Sequence, residues 1–500
     1  MKKKFFSVLV TVISIALIAT NVLASGSPPG GGWWSAEVIQ NVSGGDAHVS
    51  IVAYDSASSS TYTTAQATVA TGQSKVFLPA DFASLPTNFS GSGVVTADAE
   101  VRGMVNMTNR LAGANGIAGG LAAGQYQATA SGETSVKFPL AKNNYFGKTT
   151  TYYVQNAGDV ASTLTATFYA NGSTYTYSTP APVDPYRMVA ISPADASMTS
   201  GNTLGLGSMV VTSNPPVALA GVIMEYLVTD NPATLLQSTR GFAPSEASNK
   251  IYVPNIKNTY FDRFTGLQVQ NAGTSPITIT VTYKGAGLCN AVDVKKNIQP
   301  NASGTFVTLP GQTNLPSGCS ASAVVDATGP VLGVVNESFV AAFLAANPTR
   351  KQESTTYSAF PASSVSQKVS VPIFKEDSSS KATALVIQNV GLVAATNVVL
   401  TFVNSTDGST YISTPKTIQP GASLVVLDAR NKGASYWTGT AMTPALLGCD
   451  VNGFNCTKGL FGVTITADQP IVALASETTY PISAPRVAQD KSNYEGFNLP

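Results

Sequence analysis

Apolar and polar residues alternate along much of the chain, a pattern typical of β-strands that bury one face. The clearest alternating segments are rich in Val, Ile and Thr, which favour strands, and they lie at residues 48–54, 163–168, 277–283 and 398–402. No segment shows a convincing helical period, so the pattern predicts an all-β fold.

The dipeptide Gln-Asn precedes each of these segments by about a dozen residues and marks an internal repeat. Its glutamines are Gln40, Gln155, Gln270 and Gln388, which are 115, 115 and 118 residues apart. A period of this length is too long for a solenoid unit and matches one small domain. The chain is therefore predicted to contain four related modules.

Turn residues divide each module into short strands. Asn and Gly, which tolerate positive φ, follow the Gln-Asn strand, and a Pro/Gly turn such as Ile418-Gln419-Pro420-Gly421-Ala422-Ser423 comes later. A final pair of strands closes each module, as in residues 323–337. Seven or so short strands with turns every eight to twelve residues predict a β-sandwich.

These turns and strands resemble the immunoglobulin-like modules strung along many bacterial surface and secreted proteins. The resemblance covers all four repeats and implies a tandem row of immunoglobulin-like β-sandwich domains with a spacer, adhesive or assembling role. It supplies no catalytic residues.

A Pro-containing edge strand defines the predicted module boundaries. Pro139, Pro254 and Pro372 each lie 16 residues before a Gln-Asn glutamine, and Pro suits a sheet edge because it donates no ladder hydrogen bond. The same distance before Gln40 falls at Ala24, so a processed first module lacks this strand. The predicted divisions are a signal peptide at 1–24, modules at 25–135, 136–250, 251–368 and 369–490, and a C-terminal tail at 491–500.

The N-terminus has the features of a secretory signal peptide. Lys2, Lys3 and Lys4 precede an apolar stretch at residues 5–20, and Val22-Leu23-Ala24 supplies small residues before a predicted cut between Ala24 and Ser25. The alternative is an uncleaved membrane anchor, although the apolar run is short for a span. No later segment is apolar for long enough to span a bilayer. We therefore expect a secreted protein or one at the extracellular cell surface.

Charge is sparse in this chain of 500 residues. Charged residues make up 11%, against roughly 25% in average soluble proteins, and the formal net charge is +1. This balance lacks the basic face that nucleic-acid phosphates require, so no nucleic-acid partner is expected. Sparse charge on β-rich modules leaves little mutual repulsion, which favours self-packing.

The four cysteines fit an exported protein. Cys289 and Cys319 lie in the third module, and Cys449 and Cys456 lie in an insertion of the fourth, which predicts one disulfide in each. Zinc binding is the alternative, but no His accompanies these cysteines and their spacing does not match a zinc knuckle.

No catalytic constellation is evident, and no cofactor or metal is expected. His48 is the one His, and it has no nucleophile motif beside it. Glu225, Glu337 and Glu477 recur at one position in modules two to four, where the first module has Met107; we expect them to cap or link modules. The protein is predicted not to be an enzyme, although a site assembled from distant loops remains an alternative.

Two functions are predicted. The first is an exported structural or assembly protein of the cell exterior, such as a surface-layer, sheath or filament subunit. The alternative is a secreted or surface protein that binds or adheres to glycans, with Trp33 and Trp34 stacking on sugar rings. These tryptophans could instead pack on the first module's own core.

The C-terminal tail carries the assembly hypothesis. Residues 494–500 repeat part of the segment that precedes modules three and four, and Phe497 corresponds to Phe242 and Phe360. Strand addition of this tail, with Tyr494 and Phe497, to the first module of another copy would give a head-to-tail polymer. The alternative is that the tail folds back on the fourth module.

Overall fold

The computed structural model is all-β, with 59% strand and 5% helix. It describes the backbone of residues 11–18 and 490, and residues 28, 30–109, 122–129, 132–229, 235–347, 354–480 and 491–499 in full. The strands form six sheets, so the predicted fold class is correct at this level. Among the described residues, no helix is long and apolar enough to cross a membrane.

We name repeats 1 to 4 after the four Gln-Asn sites. The strands of repeat 1 are β1 (Thr11–Ile18), β2 (Trp33–Asn41), β3 (Ala47–Asp55), β4 (Thr61–Thr63), β5 (Ala67–Val69), β6 (Ser74–Phe77), β7 (Ser90–Ala97), β8 (Val101–Asn109) and β9 (Ala123–Gln127). Those of repeat 2 are β10 (Ser135–Lys142), β11 (Lys148–Asn156), β12 (Thr163–Ala170), β13 (Ser173–Ser178), β14 (Met188–Ile191), β15 (Leu206–Asn214), β16 (Leu219–Leu227) and β17 (Gln237–Arg240).

Repeats 3 and 4 follow the same order. Repeat 3 contains β18 (Ser248–Tyr260), β19 (Arg263–Asn271), β20 (Ile277–Gly285), β21 (Asn290–Ile298), β22 (Ser303–Val307), β23 (Cys319–Phe339), β24 (Ser354–Ser358) and β25 (Phe360–Pro361). Repeat 4 contains β26 (Ser366–Lys375), β27 (Lys381–Asn389), β28 (Ala395–Asn404), β29 (Thr410–Ser413), β30 (Lys416–Ile418), β31 (Ser423–Val426), β32 (Trp437–Thr438), β33 (Leu460–Thr479), β34 (Asp490–Glu495) and β35 (Phe497–Leu499). The described helical turns are α1 (Ala341–Ala346) and 3₁₀ turns at Pro79–Asp81, Pro244–Glu246, Ala362–Ser364, Ala429–Asn431 and Ala434–Tyr436.

Each repeat has two antiparallel strand sets of corresponding order. The sets that contain the Gln-Asn strand run β6-β2-β8-β9, β14-β11-β16-β17, β22-β19-β23-β24 and β31-β27-β33-β34. The opposing sets run β1-β7-β3-β4, β10-β15-β12-β13, β18-β23-β20-β21 and β26-β33-β28-β29. In repeats 3 and 4 one long strand, β23 or β33, takes part in both sets, where the sequence had predicted two separate closing strands.

The Gln-Asn dipeptide recurs because both side chains stabilise turns. The Asn389 amide donates to the carbonyls of Val393 and Ile418 at 2.8 and 2.9 Å, and its oxygen accepts the Gly391 N–H. Gln388 donates to the carbonyl of Gly421, a turn residue with positive φ, at 3.1 Å. The other three repeats have the same bonds, which are made by Asn41, Asn156 and Asn271 and by Gln40, Gln155 and Gln270. The dipeptide is therefore structural.

The repeats close into a ring instead of forming a row. A serine hydroxyl in each of repeats 1 to 3 donates to the positive-φ turn of the next repeat, in the pairs Ser92 to Tyr186, Ser208 to Asn301 and Ser322 to Gly421. Repeat 4 contacts repeat 1 through different bonds, because Ser74 donates to the Pro372 carbonyl and Ser370 donates to Gln40. The predicted linear array is wrong in this respect.

The closing strands of the four repeats meet at the centre of the ring. Ser238 in β17 donates to the Gln125 carbonyl in β9, and Gln237 donates to the Thr355 carbonyl in β24. Asn493 in β34 bonds Thr355, and Gln127 in β9 donates to the Glu495 carbonyl in β34 at 2.7 Å. The ring therefore has a polar, hydrogen-bonded axis, with apolar cores between the strand sets around it.

The C-terminal tail lies in its own repeat. Strand β34 pairs with β33, and β35 pairs with β26 through Ser370–Phe497 and Lys368–Leu499. Phe360 pairs with Tyr252 in the equivalent way in repeat 3. The tail thus completes repeat 4, which is the alternative that the sequence left open, and it is not free to dock on another copy.

Candidate functional site

The outer edge strand of repeat 1 differs from those of the other three repeats. Repeats 2 to 4 fill this position with their Pro-containing strands β10, β18 and β26. In repeat 1 the position is taken by β1, which pairs with β7 along all its length, from Thr11–Ala97 to Ile18–Ser90. The segment expected to be the apolar part of a signal peptide therefore serves as the edge strand. We call this position the repeat 1 slot.

Repeat 2 also borders the slot, since its strand β16 contacts β1. In the other three interfaces a serine of one repeat bonds the edge-strand proline carbonyl of its neighbour: Ser303 to Pro139, Ser423 to Pro254 and Ser74 to Pro372. Repeat 2 has Met188 at the equivalent position, paired with Gln155 and buried among apolar residues of repeats 1 and 2. The border of the slot is thus apolar where the other interfaces use a hydroxyl.

The predicted cut between Ala24 and Ser25 lies outside the described residues. Cleavage there would separate β1 from the chain and leave the outward N–H and C=O groups of β7 without a ladder partner. Unpaired backbone groups at a sheet edge bind another extended strand readily. Without β1, the slot would be an open sheet edge.

The two predicted glycan-stacking tryptophans do not form an exposed pair. Trp33 is 3% exposed and belongs to the apolar core of repeat 1. Trp34, on the opposite face of β2, is partly exposed in a cavity of about 550 Å³ between repeats 1 and 4. Successive side chains of a strand point to opposite faces, so both cannot stack on one ligand.

The predicted assembly residues of the tail have contacts within the chain. Tyr494 is buried, and its hydroxyl donates to the Ile373 carbonyl and accepts the Ile373 N–H at 3.1 Å. Tyr357 bonds Asn255 in the same way in repeat 3. Phe497 is half-buried beside a cavity at the ring axis. These residues stabilise repeat 4 in this structure.

All four cysteines are disulfide-bonded, in the pairs Cys289–Cys319 and Cys449–Cys456 that the sequence suggested. Among the residues that the structure describes, no group of His, Cys, Asp and Glu side chains could hold a metal ion. His48 is exposed and bonds Asp98 at 2.7 Å; hydrogen bonds from the His48 backbone and ring lower the pKa of Asp98.

Each recurring glutamate lies in a buried cluster with two or three cations. Glu477 contacts Lys375 at 2.8 Å and Lys381 at 2.7 Å. Glu225 contacts Lys142 and Lys148, and Glu337 contacts Lys257, Arg263 and Lys491. The sequence contained a signal for these partners, since the first cation of each cluster lies at 142, 257 and 375 and the second at 148, 263 and 381, with the repeat's own spacing.

The cations decide the ionisation of these glutamates. Burial alone would raise the pKa of Glu477, but Lys375 and Lys381 outweigh it and lower the pKa to about 2. The pKa of Glu225 and that of Glu337 are lowered in the same way. Glu225 also accepts a 2.9 Å hydrogen bond from Asn336 of repeat 3, so it links two repeats. These clusters are structural.

Repeat 1 has an apolar replacement for this cluster. Trp33 and Met107 occupy the strand positions that hold Lys381 and Glu477 in repeat 4. Both side chains are buried in the repeat 1 core. Trp33 therefore packs in the core of its own repeat, which is the alternative that the sequence left open.

The structure also has a cleft of about 930 Å³ between repeats 3 and 4, which the sequence did not predict. Its wall holds three carboxylates around one guanidinium: Arg430 lies 3.6 Å from Glu376, 3.7 Å from Asp377 and 3.6 Å from Asp428. Burial raises the pKa of Glu376 to about 7, although the Ala429 N–H and Arg430 oppose this. Aromatic side chains at its rim are Tyr260, Phe261 and Phe454. Residues from two repeats form this cleft, so no local motif marks it.

Comparison with known proteins leaves the family open. No family model matches the sequence, and no curated protein matches it. Among solved structures, the crystal structure of Thermotoga maritima 1070 is 19% identical, with 22% of this chain and 95% of that chain covered and a TM-score of 0.19.

Two further solved structures align over most of the chain. A glycoside hydrolase family 32 protein from Bifidobacterium adolescentis is 10% identical, with 92% and 98% coverage and a TM-score of 0.13. A tetra-tandem repeat from the extending region of a large adhesion protein is 10% identical, with 97% and 98% coverage and a TM-score of 0.11. Structural similarity at these TM-scores is too low to indicate a fold or a function for this chain.

Proposed function

We propose that this protein is an exported structural subunit of the cell exterior, built from four immunoglobulin-like β-sandwich modules, that joins its assembly by accepting a strand in repeat 1. The observation that carries the proposal is the pairing of β1 with β7 at all eight positions. A signal-type N-terminus, two disulfides and the absence of an evident catalytic constellation among the described residues agree with it.

The donor is an extended, apolar segment of another exported chain. A single strand fits because β1, which occupies the slot, pairs with β7 on one side and also contacts strand β16 of repeat 2. Donation by the chain's own C-terminal tail, as in a head-to-tail polymer, would require β34 and β35 to leave repeat 4. Main-chain hydrogen bonds would supply the affinity and alternate side chains the specificity.

The test uses a protein that begins at Ser25 and a synthetic peptide of residues 11–18. Thr96 pairs with Val12, and Ser92 pairs with Ala16. Thr96→Cys in the protein is expected to form a disulfide with a peptide carrying Val12→Cys and not with one carrying Ala16→Cys. Equal cross-linking of both peptides would refute the register, and no binding would refute the slot.

The second half of the test concerns assembly. The native protein is purified, its N-terminal residue is determined, and electron microscopy shows whether it forms ordered polymers. Excess peptide 11–18 is expected to block polymer formation, whereas a peptide with Ile15→Pro, which breaks the ladder, is not. A native chain that still begins before Thr11 fills its own slot and contradicts the proposal.

A second function, glycan binding, is favoured by the cleft between repeats 3 and 4. An accessible carboxylate beside exposed aromatic rings suits a saccharide, since the rings stack on its apolar faces and the carboxylate accepts its hydroxyls. Asp428 is 45% exposed and Phe261 is 75% exposed at the rim. The test is retention on glycan columns: Phe261→Ala is expected to lose retention and Phe146→Ala, which changes a phenylalanine that is 64% exposed in repeat 2, is not.

A further inference from the structure

The polar axis of the ring ends in a small cavity of about 180 Å³. Four polar residues around it come from equivalent positions, one in each repeat: Gln127, Arg240, Ser358 and Glu495. The rings of Phe360 and Phe497 and the amide of Asn498 complete the wall. The cavity is separate from the repeat 1 slot and from the cleft between repeats 3 and 4.

Two buried acceptor atoms of residues that line this cavity have no hydrogen-bond partner. One is Oε2 of Glu495, whose side chain is 4% exposed, and the other is Oδ1 of Asn498. The other carboxylate oxygen, Oε1 of Glu495, accepts the Ser358 N–H and a 3.4 Å bond from Thr239. Buried acceptors without donors are costly, so a group that supplies donors would stabilise the site.

The nearby arginine does not neutralise Glu495. Both terminal nitrogens of Arg240 bind Glu246, at 2.8 and 2.6 Å, and its Nε donates to Gln127. With one cation and two carboxylates, the group carries one surplus negative charge when Glu495 is ionised. A cationic ligand would balance that charge.

We propose that this axial cavity binds a primary ammonium group, from a small free amine or from a lysine side chain. An ammonium supplies three donors and a positive charge, and the faces of Phe360 and Phe497 attract cations. A metal ion fits less well, because Ca²⁺ takes six to eight oxygen ligands and the described residues contain no acidic cluster around this point. The proposal is independent of the proposed assembly role.

The experiment is an isothermal titration of the whole protein with methylammonium chloride. Saturable binding is expected for the wild type and should weaken by roughly tenfold or more in Glu495→Gln, because a hydrogen bond to a charged group is lost. Glu100→Gln, which changes an exposed carboxylate in repeat 1, is the matched control and should bind normally. Equal binding by Glu495→Gln, or no saturable binding by the wild type, overturns the proposal.

Two further measurements define the ligand and guard against a folding defect. Tetramethylammonium, which has no N–H donor, is expected not to compete, and competition by it would overturn the proposal. Asn498→Leu removes the second acceptor at a less buried residue and should also weaken binding. Nα-acetyl-lysinamide tests the lysine source: tighter binding than methylammonium favours a protein ligand, and weaker binding favours a free amine.

Binding should also depend on pH through Glu495. Burial raises the pKa of Glu495, and Arg240 and backbone donors offset this only in part; Tyr357 is the other titratable group beside it. A bound ammonium favours the ionised carboxylate. Methylammonium binding should therefore weaken as the pH is lowered in the wild type and change less in Glu495→Gln, and the same pH dependence in both proteins would contradict the assigned role of Glu495.

Discussion

Replacement of Glu477 by Met tests how the buried charge clusters stabilise the repeats. The substitution copies Met107 of repeat 1 into repeat 4 but leaves Lys375 and Lys381 buried, at 11% and 12% side-chain exposure, without their anion. Removal of one partner from a buried ion pair costs about 3–5 kcal/mol. We expect repeat 4 to lose that much free energy of unfolding.

The pKa of Glu477 supports a similar magnitude. A folded pKa of about 2 against an ordinary value of 4.5 corresponds to about 3 kcal/mol of stability. Because the folded pKa is lowered, this contribution is present above pH 4.5 and is lost as the pH falls toward 2. Glu477→Met should therefore lose about 3 kcal/mol of the wild type's acid sensitivity over that range.

The assay is urea unfolding followed by tryptophan fluorescence, in a background where Trp33 and Trp34 are changed to Phe. Trp437 then reports on repeat 4, where it is buried against Phe402. Asp407→Asn is the matched control in repeat 4, because Asp407 and its partner Lys458 are 35% and 46% exposed and the pair should contribute less than about 1 kcal/mol.

A triple variant separates charge burial from packing. With Lys375→Met and Lys381→Met added to Glu477→Met, the two buried charges that Glu477 balances are removed as well, and the free energy of unfolding should return to within about 1–2 kcal/mol of the wild type. The reasoning is refuted if the triple variant is as unstable as the single one, or if Glu477→Met unfolds like the wild type.

Two more predictions concern stability in repeats 1, 3 and 4. Burial raises the pKa of Glu37 to about 8, so the stability that its protonated form supplies is lost as the pH rises from 4.5 through 8. Glu37→Gln should abolish a decline of about 4 kcal/mol between pH 5 and 9 in urea unfolding, and a wild type with unchanged stability over that range would contradict this. Loss of Cys289–Cys319, which spans 30 residues, should cost about 3–4 kcal/mol and loss of Cys449–Cys456, which spans 7, about 2 kcal/mol, because a longer closed loop restricts the unfolded chain more. Alanine variants of each pair, compared by thermal unfolding, check the order, and a larger loss for the shorter loop would refute it.

Local chemistry explains what could be predicted from the sequence. The alternation of apolar and polar residues determines strands, and the Asn side chain of each Gln-Asn site forms its own turn, so fold class and repeat spacing follow from residues that are close in the chain. The recurrence of Glu477 and its equivalents follows from the same repeat spacing. The cations at 375 and 381 and their equivalents recur with that spacing too, but no local pattern shows that they contact the glutamates.

Only the tertiary structure decided how the repeats are arranged. Closure of the ring depends on bonds such as Ser74 to Pro372, between residues about 300 positions apart, and no periodic pattern specifies whether identical interfaces form a row or a circle. The tail illustrates the same limit. Phe497 matches Phe360 in sequence, and each pairs within its own repeat, but the sequence alone left open whether the tail pairs there or in another copy. The repeated sequence determined the interfaces, and the rotation between neighbouring repeats, a property of the packed surfaces, determined that the fourth meets the first.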